Sequence, residues 1–484
     1  MPTGSTDRRT DPKGPHTARR AALSLLALLL SAAALVYAKA EYILLGAEAY
    51  IFGYPLVMMD VTRVHAAHAV GPQNQLHRAR QFPNANFRAV VRPNVDTLYT
   101  TAFINMDQGP WVFEMAANAQ RYEVMPFMDA WTNVFAAPGT RTSGTAGGRF
   151  LLAGPHWQGS VPEGMTLLRS PTQMVWLIGR TQTNGAADYA LVHRLQDGLS
   201  LRRLSDGAAP AQPSPQAQAV APSPALAPAR TPAMAVDTAA NTEPPLLQMQ
   251  AMAVQDFFTR LATLMVNNPP AGADAPMLLK LSRIGVAPGQ APQWGPLDRA
   301  SVAMGRWLAD FKVAQELKKP REWVRGWSTP PAMLGQYGTH YNIRAVVAMV
   351  GLGANWPADA MYPQARVDAQ GQALNGSHRY RLHFSPAQLP PVRAFWSVTA
   401  YGADDFLIAN PLNRYALGDR DPLLFNADGS LDLWIQAQAP AGEQQRNWLP
   451  VKADAPFLLN ARLYWPRESA LNGEWGMPAV ERLD

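Results

Sequence analysis

The chain has 484 residues, 48% of them apolar and 16% charged, which excludes wholesale disorder and gives room for about two to four domains with separate cores. It contains no cysteine, which excludes disulfides, thiolate metal sites, a cysteine nucleophile and lipidation at cysteine. The net charge of +6 is lodged at one end. Residues 1–40 hold six basic and two acidic residues, only +2 is spread over the rest, and no basic patch for nucleic acid is present.

That basic leader places Arg19-Arg20 before an apolar run, Ala21 to Ala38, broken only by Ser24 and Ser31. Such a run is at the lower limit for crossing a ~30 Å hydrocarbon layer. Ala38-Lys39-Ala40 offers a small-x-small cleavage site before Glu41. Positive charge ahead of the run keeps that end cytoplasmic. The expectation is export to the periplasm, with residues 1–40 either a cleaved signal peptide or a retained membrane anchor. Nothing later in the sequence reads as a second span, so contact with membrane runs only through this segment.

From Glu41 to Arg63 the apolar residues Ile43, Leu44, Ala47, Tyr50, Ile51 and Tyr54 recur at helical spacing, and Pro55 predicts a bend or stop. His65 and His68 follow, then a polar loop through His77 to Arg88. The segment 91–206 reads as strands: Leu98–Met106, Trp111–Met115, Tyr122–Met128, Asn133–Ala136, Arg149–Ala153, Met165–Leu168 and Met174–Thr181. Asp107-Gln108-Gly109-Pro110 predicts a hairpin between the first two. Ala186–Leu199 reads as an amphipathic helix.

Gly207–Pro245 carries nine prolines among Ala, Ser and Gln and predicts a linker over 207–246. Helices are expected at Met249–Val266, Ala300–Leu317 and Ile343–Leu352, making a helical domain over 247–363. Strands return over 364–484, with Tyr380, Leu382 and Phe384 alternating with Arg381 and His383. The expected fold is mainly β with a helical domain: an N-terminal β-sandwich after a helical segment at 41–90, a small α-helical layer, and a C-terminal jelly-roll-like β-sandwich.

Several phrases carry a resemblance. Asn94-Val95-Asp96-Thr97-Leu98-Tyr99, Met128-Asp129-Ala130-Trp131-Thr132-Asn133-Val134-Phe135 and Pro138-Gly139-Thr140-Arg141-Thr142 resemble the bacterial family called domain of unknown function 1254. Ala394-Phe395-Trp396-Ser397-Val398-Thr399, Asn413-Arg414-Tyr415, Asp428-Gly429-Ser430-Leu431 and Arg462-Leu463-Tyr464-Trp465-Pro466 resemble its C-terminal companion, domain of unknown function 1214. The resemblance implies the same order of sandwich, helices and jelly-roll-like domain, and brings no catalytic residues.

Arg92, Asn94, Asp96 and Tyr99 crowd a strand entrance set by Pro93. They either bind a polar ligand, with Asp96 as general base, or close the strand mouth, with Asp96 capping backbone N–H groups and pairing with Arg92. Arg141 in a glycine-rich loop and the polar turn Asn413-Arg414 are further ligand-binding candidates. His65-x-x-His68 lacks a third ligand, so no metal is expected, and no motif implies a cofactor. G-x-S-x-G, zincin, Walker and Rossmann patterns are absent. Two functions fit: an exported protein that binds a small polar or carbohydrate-like ligand or assembles, as a homo-oligomer for instance, or a cofactor-free hydrolase or lyase using Asp96, Tyr99 and His77.

Overall fold

The computed structural model describes residues 15–88, 90–118, 121–206, 243–318, 323–329 and 331–484. The expected linker at 207–246 lies outside the described residues apart from its last four. Two helices open the chain, α1 (Pro15–Ala38) and α2 (Ala40–Ala69), with Lys39 between them at φ −106° and ψ 6°. Pro55 does not end α2. Nearly every residue from Leu45 to Val61 is buried, and burial on that scale outweighs the ~3 kcal/mol a mid-helix proline costs. By length and composition α2 would cross a membrane, but most of it lies inside the body.

The next elements are β1 (His77–Arg78), β2 (Thr97–Asn105), β3 (Trp111–Met115), β4 (Glu123–Val124), β5 (Phe127–Asp129), β6 (Val134–Ala136), β7 (Gly148–Ala153), β8 (Thr166–Arg169), β9 (Met174–Gln182), α3 (Tyr189–Asp197) and β10 (Ser200–Arg203). Sheet one runs β1-β2-β9-β5-β6, with β4 also on β9, and sheet two runs β10-β3-β7-β8. The predicted hairpin does not form. β2 pairs with β1 and β9, while β3 pairs with β7 and β10. The turn at 107–110 carries the chain from one sheet to the other, because Met106 and Trp111 both enter the core between the sheets. Alternation along β2 sends Ala102 and Ile104 into that core and Phe103 out of it, against the helices.

Those helices are α4 (Pro245–Ala251), α5 (Val254–Asn267), α6 (Ala275–Arg283), α7 (Pro296–Lys318) and, after β11 (Trp323–Val324) and β12 (Trp327–Ser328), α8 (Tyr341–Val350). The single helix expected at Met249–Val266 breaks at Met252-Ala253, both extended or outside the helical region. α2 is the axis of the layer and shares its core with Phe257, Phe258, Leu261, Leu281, Val302 and Ala345. α2 and α7 touch backbone to backbone at Gly46 and Gly305.

The remaining strands are β13 (Ala360–Met361), β14 (Gln364–Ala365), β15 (Tyr380–Phe384), β16 (Val392–Gly402), β17 (Ala416–Gly418), β18 (Leu431–Gln436), β19 (Trp448–Pro450) and β20 (Phe457–Pro466), then helix α9 (Glu468–Leu471) and β21 (Val480–Arg482). Sheet three runs β11-β12-β14-β20-β16-β17, with β13 also on β20, and sheet four runs β19-β18-β15-β21. Trp396, Val398 and Ala400 of β16, with Leu459, Ala461 and Leu463 of β20, fill the core between these sheets. Their alternating neighbours face the other way, toward sheet one.

Candidate functional site

The strand entrance at Arg92–Tyr99 lies against the outer face of sheet three. Asp96 has no solvent exposure, and both its carboxylate oxygens are taken. One pairs with the Arg420 guanidinium in a very short contact; the other accepts from Ser397 Oγ at 2.7 Å and from the Tyr464 hydroxyl at 3.4 Å. Arg420 also donates to the Asp96 and Thr183 carbonyls at 3.0 and 2.8 Å, and its guanidinium carbon lies 4.2 Å from the Phe395 ring centre. Asp96 is a fully engaged buried carboxylate.

Its neighbours are bound in the same way. The Asn94 side chain accepts from the Asp96 and Thr97 backbone N–H groups at 2.7 and 3.1 Å and donates to Tyr464 at 2.8 Å. Arg92, at φ +51°, does not reach Asp96; it makes a two-pronged pair with Asp405, both contacts 3.1 Å. The Tyr401 hydroxyl donates to the Pro93 carbonyl at 2.7 Å and accepts from Arg462, which also reaches Thr399 Oγ1 and the Arg92 carbonyl. Burial pushes the Tyr464 hydroxyl well above its usual pKa, so it stays a neutral hydrogen-bonding group.

A second set of contacts extends the seam. Arg141 holds Asp359 with two bonds of 2.6 and 3.0 Å, and Tyr122 donates to the Asp359 carbonyl at 2.9 Å. Burial pushes the Asp359 carboxyl up, against the pull of Arg141. Arg180, buried on β9, donates to Asn355 and Gly353 and lies 5.1 Å from the ring centre of half-buried Tyr99, its cross-strand partner. Asp129 turns the chain after β5 by accepting from the Trp131 and Asn133 N–H groups.

The other candidates lie elsewhere. His77 pairs across from Thr101, five residues from Asp96, a run of roughly 17 Å at ~3.3 Å per residue. Its Nε2 faces the Pro72 carbonyl at 2.8 Å, beside a cavity of about 20 Å³, enough for one water. Asn413 sits on an exposed turn at φ +48°, and Arg414 ties that turn down through the Gln445 and Trp448 carbonyls. Among the described residues, no group of three or more His, Asp or Glu is placed to hold a metal.

Ser397, Tyr401, Arg462 and Tyr464 carry the C-terminal half of this seam, and the sequence reading did not single them out. Period-2 alternation along β16 and β20 was the available signal, since it puts Phe395, Ser397, Thr399 and Tyr401 on the face opposite Trp396, Val398 and Ala400. A buried serine, two tyrosines and an arginine on one face mark a covered polar surface. Arg420, on the turn after β17, has no such pattern.

Residues 73–203 match the family model described as Protein of unknown function (DUF1254), and residues 359–468 match Protein of unknown function (DUF1214). The chain carries both domains. The seam is thus the joint between a DUF1254 unit and a DUF1214 unit, with Asn94 and Asp96 from the first meeting Ser397 and Tyr464 from the second. The fold is similar to the crystal structure of the VPA0106 protein of Vibrio parahaemolyticus, at 25% identity and a TM-score of 0.67 over 92% of this chain and all of that one. An uncharacterised protein of Burkholderia cenocepacia aligns over 96% of this chain and 98% of its own, at 12% identity and a TM-score of 0.44. No curated protein matches.

Proposed function

We propose that this is an exported protein of the cell envelope, held at the membrane by α1, that works by binding or assembly through its surfaces and not by proton transfer at Asp96. The observation that carries this reading is the state of Asp96. A general base needs a free oxygen within hydrogen-bond reach of a substrate proton, and both oxygens here are committed inside the protein. Arg92, Asn94, Asp96 and Arg141 then serve as the joint between the two β units, and a small polar or carbohydrate-like ligand, or another copy of the chain, would engage outside it.

Export and tethering rest on α1. Its apolar part, Ala21 to Ala38, spans ~27 Å at ~1.5 Å each, close to a ~30 Å hydrocarbon layer, with Arg19 and Arg20 placed at its cytoplasmic edge. Leu23, Leu25, Leu26, Leu29 and Leu30 are exposed on more than one face of it, so the body does not cover them. Lys39, just after α1, pairs with Asp298 at 2.7 Å, so the end of the leader touches the folded body.

The test has two parts. The full-length chain with a C-terminal reporter that is active only in the periplasm should score positive and stay with the membrane through high-salt and carbonate washes. A thermal-shift screen of the purified protein against polar metabolites and oligosaccharides should show stabilisation without turnover. Cytoplasmic signal would refute export, and turnover abolished by Asp96→Asn at unchanged melting temperature would refute the role given to Asp96.

A further inference from the structure

Helix α7 buries Ser301, Val302, Gly305, Ala309 and Val313 against the layer, and its other face is left open. On that face Leu297, Met304, Trp307 and Phe311 follow at helical spacing, with 54%, 46%, 70% and 50% of their surfaces exposed. Trp307 and Phe311 stack on each other, ring centres 6.2 Å apart, and do not fold back onto the body. The stripe runs about 21 Å at ~1.5 Å per residue. Exposed Arg299 and Lys312 lie on the same helix. Single exposed apolar side chains are ordinary on a soluble protein, whereas a continuous stripe led by a largely bare tryptophan is not.

The place of the stripe in the fold says what covers it. α1 leaves the body at Lys39, whose ammonium pairs with Asp298 in the first turn of α7, next to Leu297. The stripe therefore begins where the tether ends. The non-helical backbone at Lys39 makes α1 and α2 separate rods, so α7, in backbone contact with α2 at Gly305, can lie along a surface that α1 enters. We infer that this face of α7 lies in the interface of an anionic bilayer, Leu297, Met304, Trp307 and Phe311 among the acyl-chain boundary and Arg299 and Lys312 at the headgroups. This rests on the tethered reading of α1 given above.

The absence of cysteine allows a direct test, since a single introduced thiol can be labelled without background. Full-length protein carrying Met304→Cys, Phe311→Cys or, as a control on the C-terminal sandwich, Glu443→Cys is labelled with an environment-sensitive fluorophore. It is then reconstituted into vesicles of phosphatidylethanolamine and phosphatidylglycerol. At positions 304 and 311 the emission should shift to the blue and be quenched several-fold more by lipid-borne nitroxides than at 443. Equal quenching at all three positions, with the protein still sedimenting with the vesicles, would overturn the docking and leave the tether standing. Protein that floats free of the vesicles would overturn the tether itself. Labels shielded from lipid but self-quenching between copies would assign the face to a second molecule, and the membrane proposal would fall.

Discussion

Asp96 meets Arg420 with no solvent exposure of the carboxylate, so neither has bulk solvent to take its partner's place. Replacing Asp96 with Asn keeps the shape and strands the guanidinium, a change that costs about 3–5 kcal/mol when one member of a buried pair is removed. The expected outcome is a large drop in melting temperature for Asp96→Asn. Partial recovery is expected in Asp96→Asn/Arg420→Met, where no charge is left unpaired. Equal loss in the single and double variants, measured by urea unfolding, would show that the pair is not the source. Glu123 behaves in the opposite sense. Burial first, against a hydrogen bond from Asn118, raises its carboxyl to about 7. A raised carboxylate pKa means that the folded state binds the proton more tightly than the unfolded chain. Stability is therefore lost as pH rises from about 4.5 to about 7. Glu123→Gln should melt with the wild type at pH 4 and above it at pH 8, by an amount on the order of 2–3 kcal/mol. Parallel melts at the two pH values check this.

At the scale of elements, the contact of α2 with α7 depends on two glycines. A Cβ on Gly305 would lie 2.5 Å from the Ile43 carbonyl oxygen and 2.8 Å from the Ala47 nitrogen, both backbone atoms that cannot swing aside. In an isolated helix alanine is favoured over glycine by about 0.8–1.0 kcal/mol. Here the clash wins, and Gly305→Ala should lower stability, read as a fall in urea midpoint with an unchanged slope. The same element shows why Pro55 was a poor stop signal. A proline ends a helix whose flanks are free to leave, and the flanks of Pro55 are Tyr54 and Leu56, both locked in the core. The turn at 107–110 likewise has the composition of a hairpin, and the choice between pairing back and crossing over is made by where Met106 and Trp111 are buried.

For the whole molecule, the seam couples two sandwiches whose inter-sheet cores are separate, beside an apolar contact of Tyr122 with Phe395 and Tyr464. Asn94, Asp96 and Arg141 bridge to Tyr464, Ser397 and Asp359, and Arg462 returns to the Arg92 carbonyl. A joint made of buried charge-assisted bonds transmits unfolding of one unit to the other. Calorimetry of the wild type should give one transition for both sandwiches. The double variant Asp96→Asn/Arg141→Lys, which removes the charge at one end and the two-pronged grip at the other, should split it in two. A single unsplit transition at lower temperature would mean that the helical layer, not the seam, carries the coupling.

The sequence by itself determined what depends on local pattern. Apolar spacing marked α2, α7 and α8; short apolar runs between turn residues marked β2 and β9, and alternation marked β15; the basic, leucine-rich leader marked α1; and seven short phrases marked the two domains. These signals are legible because a helix or strand must put like residues on one side at a fixed period. The tertiary structure decided who partners whom. Nothing local tells Arg92 to choose Asp405 over Asp96, or tells Asp96 that its counter-charge stands 324 positions later at Arg420. A guanidinium reads the same in sequence whether it waits for a substrate or for a carboxylate of its own chain. Only the packing of sheet one on sheet three, which removes water from between them, makes the strand entrance a joint.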